Sequence, residues 1–344
     1  MNDIRTRIEG RAGRITFSRP AALNALSHPM ALAIEAALDA WRHDPRVALV
    51  LIDAEGERAF CAGGDIAAMY HACKAGAFGA ARDFWRDEYR MNAKIAEYSK
   101  PVVAFMQGFV MGGGVGVGGH ARHRIVGEST QVAMPESGIG LIPDVGGTHL
   151  LARAPGHLGE YLGLTGARMG PGDAILAGFA DHFLPEAEWG AFKSKLITTG
   201  EVNALHEQAA PAARLAPVLS EIDAAFSRPN LAGIVAHLAA SKSDFSREAL
   251  KTITRNSPLS MAATLELVRR ARVSGHLRAA LAQEYRFTWR APEEGEFLEG
   301  VRAQLIDKDR NPRWRHTVAT QPDGEVAAML EPLGPEAAIW EDQP

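Results

Sequence analysis

Met111-Gly112-Gly113-Gly114-Val115-Gly116-Val117-Gly118-Gly119-His120 is the stretch that separates one α/β architecture from another. Gly114, Gly116 and Gly119 satisfy G-x-G-x-x-G, the fingerprint of a dinucleotide-binding unit. That unit needs a helix of some length, because a parallel crossover takes a dozen or more residues. Here about a dozen residues separate Gly112 from the next strand candidate, Arg124-Ile125-Val126, and glycines fill much of the span. A nucleotide site is therefore disfavoured. Glycines after a buried strand instead let backbone N–H groups point into a cavity, where they can hold an oxygen that becomes negative. Phe60-Cys61-Ala62-Gly63-Gly64-Asp65-Ile66 forms a second such loop, so one N–H from each could act together. The bland alternative is two tight turns.

Working outward, the strands on either side are apolar on both faces, the pattern of strands buried in a sheet. Val102 to Phe105 is one, just after Pro101, and Val47 to Ile52 (VALVLI) is another. Ile15-Thr16-Phe17, Arg124-Ile125-Val126 and Gln131 to Met134 are shorter candidates, with helical patterns at His28 to His43 and Arg82 to Tyr98 between them. From about residue 185 strand signals fade. Helical segments follow at 185–197, 212–226, 230–241, 246–255, 258–273, 277–289 and 295–305, and Met261, Leu265 and Val268 mark one buried face. The expected plan is an α/β core over 1–184, a helical region over 185–316, and a Pro-, Gly- and Glu-containing tail over 317–344, partly disordered.

Bulk properties narrow the function classes. The 344 residues are 47% hydrophobic and 23% charged, as in an ordinary globular protein. The formal charge of 37 − 41 = −4 gives no basic field for nucleic acid or anionic lipid. No apolar run approaches the roughly 20 residues of a membrane span. Cys61 and Cys73 are too few for a four-thiol zinc site, and a reducing compartment suits them. With no secretory or transit pattern at the N-terminus, the expectation is a cytoplasmic protein that does not bind metal.

The carboxylates carry most of the chemical information. Met134 to Gly147 reads MPESGIGLIPDVGG, which places Glu136 and Asp144 eight residues apart in an apolar, Gly/Pro-rich segment. Two partly buried carboxyls in one cavity supply a base or nucleophile beside a proton donor. The alternative is a helix cap or a solvated pair. Glu88 falls on one helical face with Phe84, Met91 and Ile95. A carboxylate in an apolar stripe either pairs with a cation or faces a cavity. No G-x-S-x-G elbow exists. Cys61 lacks a histidine partner and reads as a small buried hydrophobe, and His120 and His123 read as structural.

These pieces resemble the crotonase (enoyl-CoA hydratase/isomerase) superfamily, and most closely its 3-hydroxyisobutyryl-CoA hydrolase branch. The matching segments are FSRPAALNAL (17–26), AFCAGGDI (59–66), FWRDEY (84–89), MGGGVG (111–116), MPESGIGLIPDVGG (134–147) and LTGARM (164–169). They continue with SPLSMAATL (257–265), EGEFLEGVRAQLIDKD (294–309) and NPRWR (311–315), so the likeness covers about the whole chain. The resemblance implies a spiral of ββα units and an oxyanion hole from the N–H groups of Gly64 and Gly113. It makes Glu136 and Asp144 catalytic, Glu88 a contact to a substrate hydroxyl, and Ala62, Asp65 and Ile66 further substrate contacts. It implies an acyl-CoA substrate, no separate cofactor, a homo-oligomer of three or six copies, and hydrolysis of 3-hydroxyisobutyryl-CoA in valine catabolism. Gly116 stands where a hydratase carries a second catalytic glutamate, which favours hydrolysis over hydration. Ala21 replaces a lysine that meets CoA phosphates in many members, leaving Arg19 as a nearby cation. An enoyl-CoA hydratase/isomerase and a non-catalytic acyl-CoA-binding protein are the two rival expectations.

Overall fold

The computed structural model describes residues 3–202, 208–319 and 322–340. Contacts group the chain into two compact units assembled from interleaved segments. The first comprises residues 1–65, 87–133 and 168–214, and the second 66–86, 134–167 and 215–344.

The first unit holds the nine strands found among the described residues: β1 (Ile4–Glu9), β2 (Ala12–Phe17), β3 (Leu49–Ala54), β4 (Ala59–Cys61), β5 (Val102–Met106), β6 (Phe109–Met111), β7 (His123–Val126), β8 (Gln131–Ala133) and β9 (His182–Phe183). They form a six-stranded sheet in the order β1-β2-β3-β5-β7-β9 and a three-stranded sheet β4-β6-β8. Only the β1–β2 hairpin is antiparallel. Successive pairs β3/β4, β5/β6 and β7/β8 each give one strand to each sheet before the chain turns into helix. This is the expected ββα spiral. The expected apolar runs all form strands, because a strand covered on both faces must be apolar on both.

Alternation assigns the two faces of the large sheet. Ala12, Leu49, Leu51, Val103, Phe105 and Ile125 lie against Trp189, Phe192 and Leu196 of helix Glu186–Thr199. Trp189 meets Phe105 edge-on at 5.3 Å, and its indole N–H donates to the Leu184 carbonyl at 2.8 Å. Ile15, Phe17, Val50 and Ile52 face the other way, and helix His28–Trp41 covers that side with Trp41 stacked on Gly13.

The second unit is helical among its described residues. Met261, Leu265 and Val268 are buried on helix Pro258–Ser274, as their spacing requires. The helix expected from 212 begins at Leu219, after a single 3₁₀ turn at Ala216–Val218. Pro217 accounts for the delay, since it lacks an N–H and disfavours helix in the residue before it. Helix Phe297–Val301 opens into a wide π turn at Arg302–Ile306, closed by the Asp307 N–H on the Arg302 carbonyl at 2.8 Å. The stretch from Thr317 carries helix Asp323–Met329, anchored by buried Val326, Met329 and Leu330. Residues 320, 321 and 341–344 of the expected tail lie outside the described residues.

Candidate active site

In the first unit, two glycine loops bring backbone donors side by side. After β4, Gly64 forms a parallel bridge to Leu26: the Leu26 N–H bonds Gly63 O and the Asp65 N–H bonds Leu26 O, each at 2.8 Å. In that pattern the N–H of Gly64 itself points away from Leu26. After β6, helix Gly113–Gly118 begins, and its first N–H groups have no intrahelical acceptor. A Cβ built on Gly113 would lie 3.4 Å from the Gly64 nitrogen, so the two amides are neighbours.

Close packing explains the surrounding glycines. A Cβ on Gly114 would sit 2.1 Å from the Cys61 carbonyl oxygen, because the short helix rests directly on β4. Backbone cannot yield as a side-chain tip can. Gly114→Ala is therefore expected to destabilise the protein by about 1–3 kcal/mol or more, read as a lowered denaturant midpoint at unchanged slope.

Glu88 stands beside this pair. It is buried on helix Phe78–Ala96 in the stripe of Phe84, Met91 and Ile95, and its Oε1 lies 2.7 Å from the Cβ position of Gly113. The neighbouring Asp87 is engaged elsewhere, with His28 Nε2 at 2.7 Å and the Arg90 guanidinium at 3.0 Å. Burial pushes the Cys61 thiol up to about 12, and the Glu88 charge adds to it. A thiol so held supplies no thiolate at neutral pH, and Cys61 acts as the small hydrophobe expected.

Arg19 reaches the first loop through Asp65. The Arg19 guanidinium is committed to Asp65 at 2.9 Å, the Ala25 carbonyl at 3.3 Å and Asp3 at 3.7 Å. The nearby cation is thus ion-paired, and Asp65 is its partner. Ala62 and Ile66 are half-buried, with the Ala62 N–H on the Leu23 carbonyl at 3.1 Å.

Glu136 and Asp144 belong to the second unit and are 5% and 4% exposed. Glu136 opens the 3₁₀ turn Glu136–Ile139 after Pro135, and the Leu141 N–H closes back on its carbonyl at 3.0 Å. Later segments of the second unit clamp this turn. Ser137 Oγ donates to Gly163 O at 3.0 Å, and the Ser257 N–H donates to Ser137 O at 2.9 Å. Ser257 Oγ in turn donates to Glu296, whose other oxygen takes the Arg315 N–H, both at 2.5 Å.

Asp144 is followed by an unusual turn. Val145 and Gly146 have φ of +54° and +77°, and the Gly147 N–H bonds the Asp144 carbonyl at 2.6 Å before helix Gly147–Arg153. A β-branched residue in the left-handed region is a genuine outlier. Its anchor is Glu284, a residue the sequence reasoning missed. Fully buried on helix Leu277–Arg290, Glu284 accepts the Gly146 N–H at 2.7 Å, the Thr148 N–H at 3.0 Å and the Thr148 hydroxyl. Burial pushes its carboxyl up to about 8, and nearby Asp144 adds to the rise while the three donors oppose it. Its signal was the one that marked Glu88: a glutamate in an apolar stripe, here with Ala280, Leu281 and Phe287.

Gly64, Gly113, Glu88, Asp65 and Ala62 therefore share one unit, and Glu136, Asp144 and Ile66 share the other. Among the described residues no cluster of three His, Cys, Asp or Glu could hold a metal ion, and no helix is long and apolar enough to cross a membrane. Both cysteines are free and buried.

A family model described as "Enoyl-CoA hydratase/isomerase" matches residues 12–330. The 3-hydroxyisobutyryl-CoA hydrolase, mitochondrial, of Gallus gallus is 39% identical, over 96% of this chain and 89% of its own length. Its counterpart in Xenopus tropicalis is 40% identical over 89% and 82%. A solved structure described as an enoyl-CoA hydratase from Rhodobacter sphaeroides is 58% identical, with TM-score 0.94 over 97% of this chain and 99% of that one. Another, a carnitinyl-CoA dehydratase from Mycobacterium thermoresistibile, is 44% identical with TM-score 0.94 over 100% of both. The cytoplasmic expectation is corrected by these findings, since the vertebrate relatives are named as mitochondrial. Reduced thiols do not distinguish the cytosol from other reducing compartments, so that inference had no purchase.

Proposed function

We propose that this chain, which belongs to the enoyl-CoA hydratase/isomerase family, hydrolyses the thioester of a short branched 3-hydroxyacyl-CoA. The substrate proposed is 3-hydroxyisobutyryl-CoA, giving 3-hydroxyisobutyrate and CoA in valine breakdown. The observation that carries this is the name shared by relatives 38–40% identical over most of the chain. Buried Glu136 and Asp144, and the adjacent amides of Gly64 and Gly113, support it. CoA enters as part of the substrate, and no separate cofactor is proposed.

In the proposed mechanism the thioester oxygen accepts the N–H groups of Gly64 and Gly113. Two routes balance. In one, Glu136 adds to the carbonyl carbon, the C–S bond breaks and CoA leaves as the thiol, and water cleaves the resulting anhydride and restores the Glu136 carboxylate. In the other, Glu136 takes a proton from the water that adds. In both, Asp144 delivers a proton to the departing sulfur, and Glu88 accepts the hydrogen bond of the substrate 3-hydroxyl. Removing a positioned proton donor costs about 10²–10⁴-fold in rate, so Asp144→Asn is expected to lower kcat for thiol release by that order.

A second reading, hydration or dehydration of an enoyl or hydroxyacyl thioester, draws on the names of the two solved structures. Gly116 weighs against it, because a glycine in the short helix supplies no second carboxyl there. The test compares thiol release from 3-hydroxyisobutyryl-CoA and isobutyryl-CoA. Faster release from the hydroxylated thioester is the expected result. Release from neither overturns the proposal.

A further inference from the structure

We propose that Glu284 is a positioning residue for Asp144: its buried carboxyl group gathers the donors of the turn that follows Asp144 and so sets where the Asp144 carboxyl points. The inference rests on the catalytic role proposed for Asp144.

Three observations carry it. Glu284 takes the Gly146 N–H on one oxygen and both the Thr148 N–H and the Thr148 hydroxyl on the other. A single side chain thereby ties down the residues two and four places after Asp144, from a helix some 140 residues later in the chain. The turn it holds is strained: Val145 and Gly146 are consecutively left-handed, a conformation that persists only where the surroundings over-determine it. Apart from burial, the groups that weigh most on the Glu284 carboxyl are the turn's own donors and Asp144. A carboxyl group buried beside a second one is costly, and an apolar residue would fill the space at lower cost.

The competing account makes Glu284 a cap for helix Gly147–Arg153 alone. A cap stabilises the helix whatever stands at position 144. A positioning residue matters only while Asp144 is there to be positioned. Glutamine at 284 has one acceptor oxygen and an NH₂ group, so it leaves one N–H donor facing another donor. Thr148→Val removes only the hydroxyl and keeps the shape.

The experiment measures kcat and KM for thiol release from 3-hydroxyisobutyryl-CoA, with thermal unfolding, for wild type, Asp144→Asn, Glu284→Gln, Thr148→Val and the double variants with Asp144→Asn. Glu284→Gln is expected to lower kcat by about 10- to 100-fold with KM little changed. In the Asp144→Asn background the same change is expected to have little further effect, and Thr148→Val should follow it with a smaller factor. Wild-type kcat in folded Glu284→Gln overturns the proposal, as does an equal loss in both backgrounds. Should Glu284→Gln fail to fold, Thr148→Val decides by the same cycle, and unchanged kcat overturns it. Full turnover in Asp144→Asn removes the catalytic assignment, and the positioning role with it.

Discussion

Glu136→Gln is expected to lower thiol release from 3-hydroxyisobutyryl-CoA by about 10²–10⁴-fold while leaving thioester binding close to wild type. Glutamine keeps the size and shape of the side chain and removes the ability to attack carbon or take a proton. Both proposed routes need that ability, so both fail together. The turn that carries residue 136 is held through Ser137, Ser257 and Glu296, with bonds of 2.5–3.0 Å that do not involve the Glu136 side chain. Stability should therefore be equal to wild type or higher, since a buried carboxylate is replaced by a neutral amide. Binding of a non-hydrolysable thioether analogue, read by calorimetry, checks that the site survives. Near-normal turnover in a folded variant would remove Glu136 from the chemistry.

Gly113→Ala probes the other half of the proposal, the backbone donors. The added Cβ meets the tip of the Glu88 side chain at 2.7 Å and the Gly64 nitrogen at 3.4 Å. A carboxylate tip can swing aside and the amide needs to give only slightly, so the fold should survive. Gly114→Ala, one residue on, meets a carbonyl at 2.1 Å and should not be so tolerated. The rate for Gly113→Ala should fall by about 10²–10³-fold, the loss expected when one oxyanion donor is displaced. Displacing Glu88 should also erode the preference for 3-hydroxyisobutyryl-CoA over isobutyryl-CoA. Retained rate with retained preference would show that these amides do not hold the thioester oxygen.

Much of the fold was legible because its strands are covered on both faces. Val47 to Ile52 and Val102 to Phe105 could be read as unbroken apolar runs, and both became central strands. β4 and β6, three residues each, carry no period to read and show themselves only through pairing. The burial of Glu88 was legible from its apolar helical stripe. Glu284 has the same signature, yet its bonds go to a turn about 140 residues earlier that no local pattern announces. Arg19 illustrates the same limit: its partner Asp65 is 46 residues away. Residue type told which groups carry charge, and long-range pairing decided how each charge is used.

Incubating wild-type enzyme with 3-hydroxyisobutyryl-CoA, while following free thiol and enoyl-thioester absorbance in one sample, tests the central claim most directly. Hydrolysis predicts one thiol released per substrate consumed and no enoyl signal. Growth of the 2-methylpropenoyl thioester with no free thiol would contradict it, because that is loss of water rather than cleavage of the thioester.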